Sequence, residues 1–492
     1  MLAARDAVRY NRARKERCVR ILLIQTPNVT GTLLNLPGKE VPLSLLYLAA
    51  VARAQGHEVR VLDLDFLGGI APHLDRALSE FEPVLVGVSA YTTNVARAAD
   101  IASRVKQARP QTTTVLGGFH ASALPKRVLC EFPSFDFVIV GEGEYTLLDL
   151  AAAIPVIARG RIQDSPLPQI AGLAWRDGEN IMVNERRPLI DDLDTLPFPA
   201  RDLVPVARYV PDPGNFYHLP STGILYSRGC PYHCTFCSKS VFQNVIRYRR
   251  PETVIDEMRE CGARWGIRDF RFEDEGPTLN IKRVRELCEA ILGAGLRVTW
   301  HCYSRVDSVE EDDLRLMQRA GCYHVTYGIE SGSPRTLERI DKRLSLEQAR
   351  RIVATTKRLG LECKANFIIG FPWETREDLD QTIRFAFDIS PDLATFNVFK
   401  PLPGSSLYEE LERAGKLRHT KWEDYFATSE SLLFESNFTE PEMKRILKRT
   451  ILRFHLRPRF IAQRLRRLAR HPRRELQTIW IGLKIIAANL FR

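Results

Sequence analysis

The stretch SRGCPYHCTFCSKS, residues 227–240, holds the densest group of cysteines in the chain. It places Cys230, Cys234 and Cys237 in C-x-x-x-C-x-x-C spacing, next to a strand predicted at 223–228. The other seven of the ten cysteines are scattered singly, which is typical of small buried hydrophobic residues. In a reducing compartment such a cluster indicates metal or redox chemistry rather than disulfides.

Strands and helices alternate on the carboxyl side of this stretch. The predicted strands are 223–228, 269–274, 298–304, 324–330, 364–370 and 395–400. The predicted helices between them are 251–265, 281–294, 309–320, 333–339, 346–359 and 376–389. Six such βα units predict a partial barrel over 221–410, with its site at the carboxyl ends of the strands.

The amino-terminal side shows the same alternation, with strands predicted at 20–28, 58–65, 84–91, 113–120 and 135–144. This pattern predicts an open, doubly wound parallel sheet, the Rossmann-like type, in a domain over 20–192 that ends in a hairpin at 170–187. Residues 193–220 begin with a proline-rich segment and are interpreted as a linker. Ligands of such sheets bind beyond the strand carboxyl ends, where the turns are Thr26–Asn28, Ser89–Asn94, Gly117–Ser122 and Gly141–Glu144.

The composition excludes several classes of protein. With 492 residues, 45% apolar and 27% charged, the chain is neither disordered nor a disulfide miniprotein. Its net charge of +11 is uneven, since residues 1–20 carry 7 Lys/Arg against 2 Asp/Glu and residues 441–492 carry 15 against 2. The body between them is mildly acidic, which argues against a uniformly basic nucleic-acid binder.

The basic carboxyl-terminal region, within a helical segment over 411–492, has two amphipathic patterns split at Pro472. Three interpretations remain open: helices packed on the barrel, helices lying on anionic lipid, and nucleic-acid binding, which the sparse aromatic residues disfavour. No apolar run is long enough to span a bilayer, and the basic tail 1–19 lacks a signal-peptide core. We therefore expect a cytoplasmic protein, with contact at the inner face of the membrane as one alternative.

The cysteine spacing has a direct chemical meaning. Three thiolates in one loop can hold three irons of a 4Fe–4S cluster and leave the fourth iron open to a ligand. A structural zinc site is the alternative, but it calls for a fourth Cys or His in tetrahedral arrangement. His233 lies inside the motif, and we expect its side chain to point away from the cluster.

This motif and four later ones closely resemble the radical S-adenosylmethionine family. The later motifs are FRFEDEGPTLN (270–280), YGIESGS (327–333), NFIIGFPWET (366–375) and KPLPGSSLY (400–408). The resemblance implies that Asp274 or Glu275 binds the methionine amino group, although Gly276–Pro277 replaces the family's usual Phe-Thr. The other cofactor-binding residues that it implies are Glu330, Ser331, Ile368 and Gly370, with Phe236 either on the adenine or in the core.

The amino-terminal domain resembles that of the cobalamin-binding subgroup through VGVSAYTTN (86–94), VLGGFHAS (115–122) and DFVIVGEGEYTLLDL (136–150). The resemblance implies cobalamin contacts at Ser89, Thr92, Thr93, Asn94, Gly117, Gly118, His120, Gly141 and Glu142. The D-x-H-x-x-G motif of many cobalamin domains is absent, so we expect cobalamin without a histidine lower ligand. For His120 a hydrogen-bonding or capping role is favoured, and G-E-G-E at 141–144 does not match a dinucleotide fingerprint.

The resemblance implies methylation of an unactivated carbon, in which one S-adenosylmethionine methylates cobalamin and a second generates a 5′-deoxyadenosyl radical. Its implied partners are a small-molecule or lipid-like substrate and an electron donor such as flavodoxin or ferredoxin. Two alternatives are oxidative cyclisation or rearrangement, as in the anaerobic porphyrin-ester cyclases, and a non-catalytic cobalamin or redox sensor. The tRNA methylthiotransferases fit poorly, because they carry a second upstream cysteine triad.

Overall fold

Two sheets, each with its own helices, organise the chain in a computed structural model that describes residues 18–28, 38–157, 165–212, 214–418, 421–426, 431–470 and 475–476. Among these residues, the first unit holds 18–28, 42–157, 165–205 and 238–242. The second holds 38–41, 206–237 and the chain from 243 onward. The predicted α/β architecture, a Rossmann-like domain followed by a partial barrel, is confirmed.

The first unit is built on a sheet of seven strands in the order β2-β1-β3-β4-β5-β6-β7. The strands are β1 (Arg20–Gln25), β2 (Glu58–Asp63), β3 (Leu85–Ser89), β4 (Thr113–Gly117), β5 (Phe137–Ile139), β6 (Leu173–Asp177) and β7 (Asn180–Val183). The first five are parallel, and the predicted hairpin, β6 and β7, continues the same sheet antiparallel to β5. The strand order reverses between β1 and β3, which makes their carboxyl ends the topological switch point.

Helices cover this sheet, so its central strands are apolar throughout. In β1 the run Ile21–Ile24 is wholly buried, as expected where both faces are covered. The helices are Leu43–Ala54, Leu64–Leu67, Ala71–Phe81, Val95–Ala108, Phe119–Ala123, Pro125–Glu131 and Glu144–Ile157. The sequence analysis missed Ala71–Phe81, which buries only Leu74, Leu78 and Phe81, and also the short Pro125–Glu131.

The second unit contains six parallel strands in the order β15-β14-β13-β12-β11-β8. They are β8 (Ser221–Ile224), β11 (Asp269–Phe272), β12 (Thr299–Ser304), β13 (Cys322–Glu330), β14 (Glu362–Ile369) and β15 (Leu393–Val398). One helix follows each of the first, second, third and fifth of these strands along the chain, and two helices follow the fourth. In chain order they are Pro251–Trp265, Ile281–Gly293, Glu311–Arg319, Pro334–Arg339, Leu346–Arg358 and Arg376–Ile389. All six predicted strands and their helices are present, with ends that differ by a few residues.

The segment predicted as a linker, 193–220, is divided between the two units at Pro205. Several of its apolar residues, including Leu193, Val206 and Tyr209, are buried, whereas Val210 and Leu219 are exposed. In the second unit, Gly214 and Asn215 accept hydrogen bonds from the buried His324 and His301, at 3.1 and 2.9 Å between heavy atoms. Residues 214–215, in the part of the segment that belongs to the second unit, therefore lie against the amino ends of the third and fourth barrel strands.

The chain beyond the barrel packs in the second unit as helices Ser406–Arg413, Glu440–His455 and Pro458–Arg470. Arg464 of the last helix is buried and pairs with Glu475 at 3.1 Å and Glu362 at 3.6 Å. Ile461 and Leu465 of the same helix are 46% and 58% exposed. The helix thus turns a cation inward and apolar side chains outward.

Within the described ranges, no helix combines the length and apolar character needed to cross a bilayer. The basic tail up to residue 17 lies outside the described residues, as does most of the second carboxyl-terminal pattern beyond Pro472.

Candidate functional site

The cysteine loop is closed at its base by a short antiparallel ladder. Strand β9 (Ser227–Arg228) pairs with β10 (Arg247–Tyr248), so the chain leaves and re-enters the barrel side by side. Gly229, the first loop residue, has φ +90°, a conformation that favours glycine. The ladder fixes the position of the loop relative to the first barrel strand.

The acidic strand end after β11 anchors the start of the same loop. One oxygen of Asp274 accepts from the backbone N–H groups of Tyr226, at 3.1 Å, and Ser227, and from the Ser227 hydroxyl at 2.6 Å. Glu275, which is exposed, accepts from the Gly229 N–H at 2.9 Å. Burial raises the pKa of Asp274 to about 7, and these hydrogen bonds act against the rise. Both predicted acids therefore bind the loop, Asp274 from a buried position and Glu275 from an exposed one.

The three cysteines of this loop form no disulfide, and Cys230 and Cys234 are half-buried whereas Cys237 is exposed. The Cys237 N–H donates to the Cys234 carbonyl at 3.1 Å, which makes a tight turn between the last two. Among the described residues, no three His, Cys, Asp or Glu side chains converge closely enough to hold one metal ion. In a 4Fe–4S cluster each thiolate binds a different iron, so the donor set fits a cluster better than a single zinc ion.

Two cations that the sequence analysis missed lie beside Cys234. Burial raises the pKa of the Cys234 thiol, whereas Lys342 and Arg305 lower it. Arg305 lies 3.8 Å from the centre of the Tyr232 ring and donates to the Lys342 carbonyl at 2.6 Å. Both cations sit in loops with no motif of their own, so only their position in space reveals them.

The end of β14 meets the cysteine loop through aromatic rings. Phe236 packs edge-on against Phe371, with 6.2 Å between ring centres. Gly370 has φ +81°, and its N–H donates to the buried Glu374 at 2.6 Å, as does that of Phe371 at 3.1 Å. Burial raises the pKa of Glu374 to about 7. The structure thus brings together Phe236 and the fifth-strand motif, in which Ile368 is half-buried on the interior side.

Glu330 and Ser331, the two predicted residues of the fourth-strand motif, make different kinds of contact. Glu330 has φ +70° and pairs with the buried Lys342 at 3.0 Å. Ser331 is wholly buried, its hydroxyl lies 2.9 Å from that of Thr382, and it accepts from the Ser333 N–H at 3.1 Å. The Ser331 side chain therefore supports the turn instead of facing a ligand.

In the first unit, three glycines line the carboxyl edge of the sheet. A side chain at Gly117 or Gly141 would meet no atom within 4 Å, so both border open space. Gly118 has φ +103°, and a Cβ there would lie 2.6 Å from the Ala90 carbonyl oxygen. Only glycine lets these two turns approach so closely, and the open edge fits the flat corrin that the resemblance implies.

The other residues predicted to contact cobalamin differ in direction. Ser89 and Thr93 are half-buried at the edge. Asn94 is wholly buried, accepts from the Tyr91 N–H at 2.8 Å and donates to the Thr26 and Pro27 carbonyls at 3.4 Å. Asn94 therefore holds the turns of the switch point together.

Thr92, His120 and Glu142 also face the protein. The Thr92 hydroxyl lies 3.2 Å from His120 Nδ1, and burial lowers the pKa of His120 to about 4. Glu142 accepts from the Ile190 N–H at 2.8 Å. A neutral, hydrogen-bonded imidazole agrees with the expectation that His120 plays a structural part. Sequence analysis also missed Tyr91, which is 53% exposed and stacks on Phe119 with 6.1 Å between ring centres.

The interior face of the barrel sheet is polar and accessible. On β14 the residues facing the helices are wholly buried, whereas the alternate residues Lys364, Asn366 and Ile368 are half-buried. On β11 Arg271 pairs with Glu40 at 2.7 Å and with Glu273. Closed barrels normally fill this face with branched apolar side chains. The open polar lining favours a polar ligand over a hydrocarbon.

Comparison with known proteins agrees with this arrangement. The Radical SAM superfamily profile matches residues 224–386 and the B12 binding domain profile matches residues 29–151. An uncharacterized methyltransferase of Pyrococcus horikoshii is 33% identical over 449 residues, which cover 90% of this chain and 94% of the relative. The anaerobic magnesium-protoporphyrin IX monomethyl ester cyclase of Rubrivivax gelatinosus is 30% identical, over 80% of this chain and 70% of the cyclase.

Among solved structures, the radical S-adenosylmethionine methyltransferase TsrM of Kitasatospora setae, with cobalamin and a [4Fe–4S] cluster bound, superposes with a TM-score of 0.66. It is 22% identical, and the match covers 82% of this chain and 76% of TsrM. At that identity the likeness concerns the fold.

Proposed function

Because the chain belongs to the cobalamin-binding radical S-adenosylmethionine family, we propose that it transfers a methyl group to an unactivated carbon of a small molecule. Its cofactors are a 4Fe–4S cluster, S-adenosylmethionine and cobalamin. When bound, they supply a 5′-deoxyadenosyl radical that removes a hydrogen atom and the methyl group that replaces it. The loop of three cysteines that form no disulfide, anchored by Asp274, is the observation that carries the proposal.

The residues of the second unit take distinct roles in this proposal. Cys230, Cys234 and Cys237 hold the cluster. Glu275 binds the methionine amino group, because it is the exposed acid of the two, whereas Asp274 is buried. Ile368, Gly370 and Phe236 line the adenine, which fits the contact of Phe236 with Phe371. Glu330 acts on the cluster loop indirectly, through its ion pair with Lys342.

In the first unit, Gly117, Gly118 and Gly141 leave room for the corrin. Ser89 and Thr93 hydrogen-bond it or its nucleotide tail. Thr92, Asn94, His120 and Glu142 keep the surrounding turns in place, which their buried hydrogen bonds support.

Anaerobic reconstitution tests the proposal. With cluster and cobalamin loaded, S-adenosylmethionine and dithionite should yield 5′-deoxyadenosine, and Cys230→Ala should abolish it by removing an iron ligand. The matched control is Cys288→Ala, a buried cysteine on helix Ile281–Gly293 outside the loop. Absence of 5′-deoxyadenosine from the fully loaded protein would contradict radical chemistry.

Oxidative cyclisation is the second candidate, favoured by the relative named as a cyclase. The mass of the product separates the two: methyl transfer adds one methylene, whereas ring closure removes hydrogen. An electron donor of the flavodoxin or ferredoxin type completes either reaction.

We also propose contact with anionic lipid through helix Pro458–Arg470. Its outward Ile461 and Leu465, among basic neighbours, suit an interfacial position. Leu465→Glu should reduce co-sedimentation with vesicles of phosphatidylcholine and phosphatidylglycerol. Ala462→Glu, an equal charge change at an exposed residue that loses less apolar surface, should reduce it less. Equal losses would indicate that charge alone governs the interaction.

A further inference from the structure

A buried ion pair lies beneath the cysteine loop of the second unit. The Lys342 ammonium is 3.0 Å from Glu330 Oε1, and the two side chains are only 8% and 11% exposed. Isolating two charges from water in this way costs several kcal/mol per ion in general, so such a pair stabilises a fold poorly. Its presence therefore calls for an explanation other than stability.

The backbone around the pair is strained. Among the described residues, six non-glycine residues have positive φ, and three of them are Glu330 at +70°, Asp341 at +48° and Arg343 at +49°. Two flank Lys342 in sequence, and the third is its partner. Each such conformation is unfavourable and persists where the surroundings enforce it, commonly at functional sites. At Gly328, a Cβ would lie 2.5 Å from Glu330 Oε1, so glycine makes the room for the pair.

The turn that carries Lys342 is joined to the cysteine loop. The Thr235 N–H donates to the Ile340 carbonyl at 3.0 Å, and the Cys234 thiol lies 3.8 Å from the Asp341 carbonyl oxygen. The Lys342 N–H donates to the Leu337 carbonyl at 3.0 Å. Because Arg305 donates to its carbonyl, both the N–H and the carbonyl of Lys342 are hydrogen-bonded. This fixed backbone adjoins Cys234, a proposed cluster ligand.

The turn that carries Lys342 places positive charge next to Cys234. Lys342 follows Asp341, whose carbonyl oxygen lies 3.8 Å from the Cys234 thiol. Arg305, which donates to the Lys342 carbonyl, lies 3.8 Å from the centre of the Tyr232 ring in the cysteine loop. A fixed positive charge beside a cluster stabilises its reduced, more negative state.

We infer that the Lys342–Glu330 pair tunes the reduction potential of the cluster, with Lys342 raising it and Glu330 both holding and moderating that charge. The inference rests on the proposed function and concerns one step, the transfer of one electron from a reduced flavodoxin- or ferredoxin-type donor to the oxidised cluster. No bond forms or breaks in that step. Both residues are positioning residues, since they act through the cluster ligand.

The test is an anaerobic potentiometric titration of the holoenzyme, with dithionite as reductant and the EPR signal of the reduced cluster as readout. Lys342→Met should shift the midpoint potential to a more negative value, and Glu330→Gln should shift it to a more positive value. Opposite signs are the diagnostic result, because general damage to the loop would not move the two variants in opposite directions. Glu330→Gln keeps the lysine and the shape of its partner, and so gives a reading even if Lys342→Met fails to fold.

Arg343→Met is the matched control, since Arg343 is adjacent but 73% exposed and its charge is screened by water. It should give a small shift that vanishes at high salt, whereas the Lys342 shift should persist. Equal shifts at Arg343 and Lys342, or no shift in either variant of the pair, would overturn the inference. If the two variants show the expected shifts but the wild-type protein forms no 5′-deoxyadenosine, the proposed function is contradicted and the inference stands.

Discussion

Replacing Asp274 by asparagine should make the stability of the second unit less dependent on pH. The side chain is 2% exposed, and burial raises its pKa from about 4 to about 7. Oδ1 accepts from all three donors of Tyr226 and Ser227, and Oδ2 shares only the Tyr226 N–H, at 3.2 Å, so an asparagine whose oxygen takes the place of Oδ1 can keep one bond from each donor. The substitution removes mainly the titrating proton.

The sign and size of this pH dependence follow from proton linkage. A raised pKa means that the folded chain keeps a proton that the unfolded chain has released, so the associated stability is complete below about pH 4 and is lost as the pH rises through about 7. With a shift of about 3 units, the loss between about pH 5 and pH 7 amounts to roughly 2 kcal/mol. The asparagine variant should lack this slope.

The assay is urea unfolding of the full chain at about pH 5, 6 and 7, followed by tryptophan fluorescence. Five of the six tryptophans follow residue 243, so the signal reports chiefly on the second unit. Glu289→Gln, an exposed acid on helix Ile281–Gly293, is the control and should keep the wild-type slope. An unchanged slope in Asp274→Asn would refute the reasoning that burial sets this pKa.

Three further predictions concern other parts of the chain. Gly118→Ala should lower the melting temperature of the first unit, because the new Cβ would meet the Ala90 carbonyl. Gly117→Ala should leave the melting temperature unchanged but weaken cobalamin binding, measured by absorbance titration. Glu374→Ala should cost about 3 kcal/mol of unfolding free energy, since three buried donors lose their acceptor, and Glu374→Gln should cost less. Arg464→Met should remove the buried cation that pairs with Glu475 and Glu362 and so release its helix, which would be detected as faster proteolysis after residue 457. Unchanged cleavage would contradict this expectation.

Sequence periodicity predicted both sheets well because strands and helices differ in the spacing of their apolar residues. Strand β14 and helix Pro251–Trp265 match their predicted ranges within two residues. The helix Ala71–Phe81 was not predicted because it buries only three apolar residues on one stripe. The hairpin was predicted, but its pairing with β5 depends on a contact between segments far apart in sequence, and local patterns do not encode that contact.

At the site, the cysteine spacing and the motif order predicted which residues lie near one another. They did not reveal side-chain direction. Asn94, Glu142 and Ser331 belong to the predicted set, yet each is bonded to its own protein neighbours. Lys342 and Arg305 carry no sequence signal, because a cation in a loop is usually solvated and only the packing around Cys234 distinguishes these two.

The sequence by itself determined the order of the strands, the family and the candidate cluster ligands, because these depend on local periodicity and on spacing within one loop. Only the tertiary structure decided which acid remains accessible, which polar residues hold turns, and which charge lies behind Cys234. These properties depend on burial and on partners from distant segments: a carboxylate next to Tyr226 and Ser227, or an ammonium facing Glu330, acquires its role only when the chain brings them together.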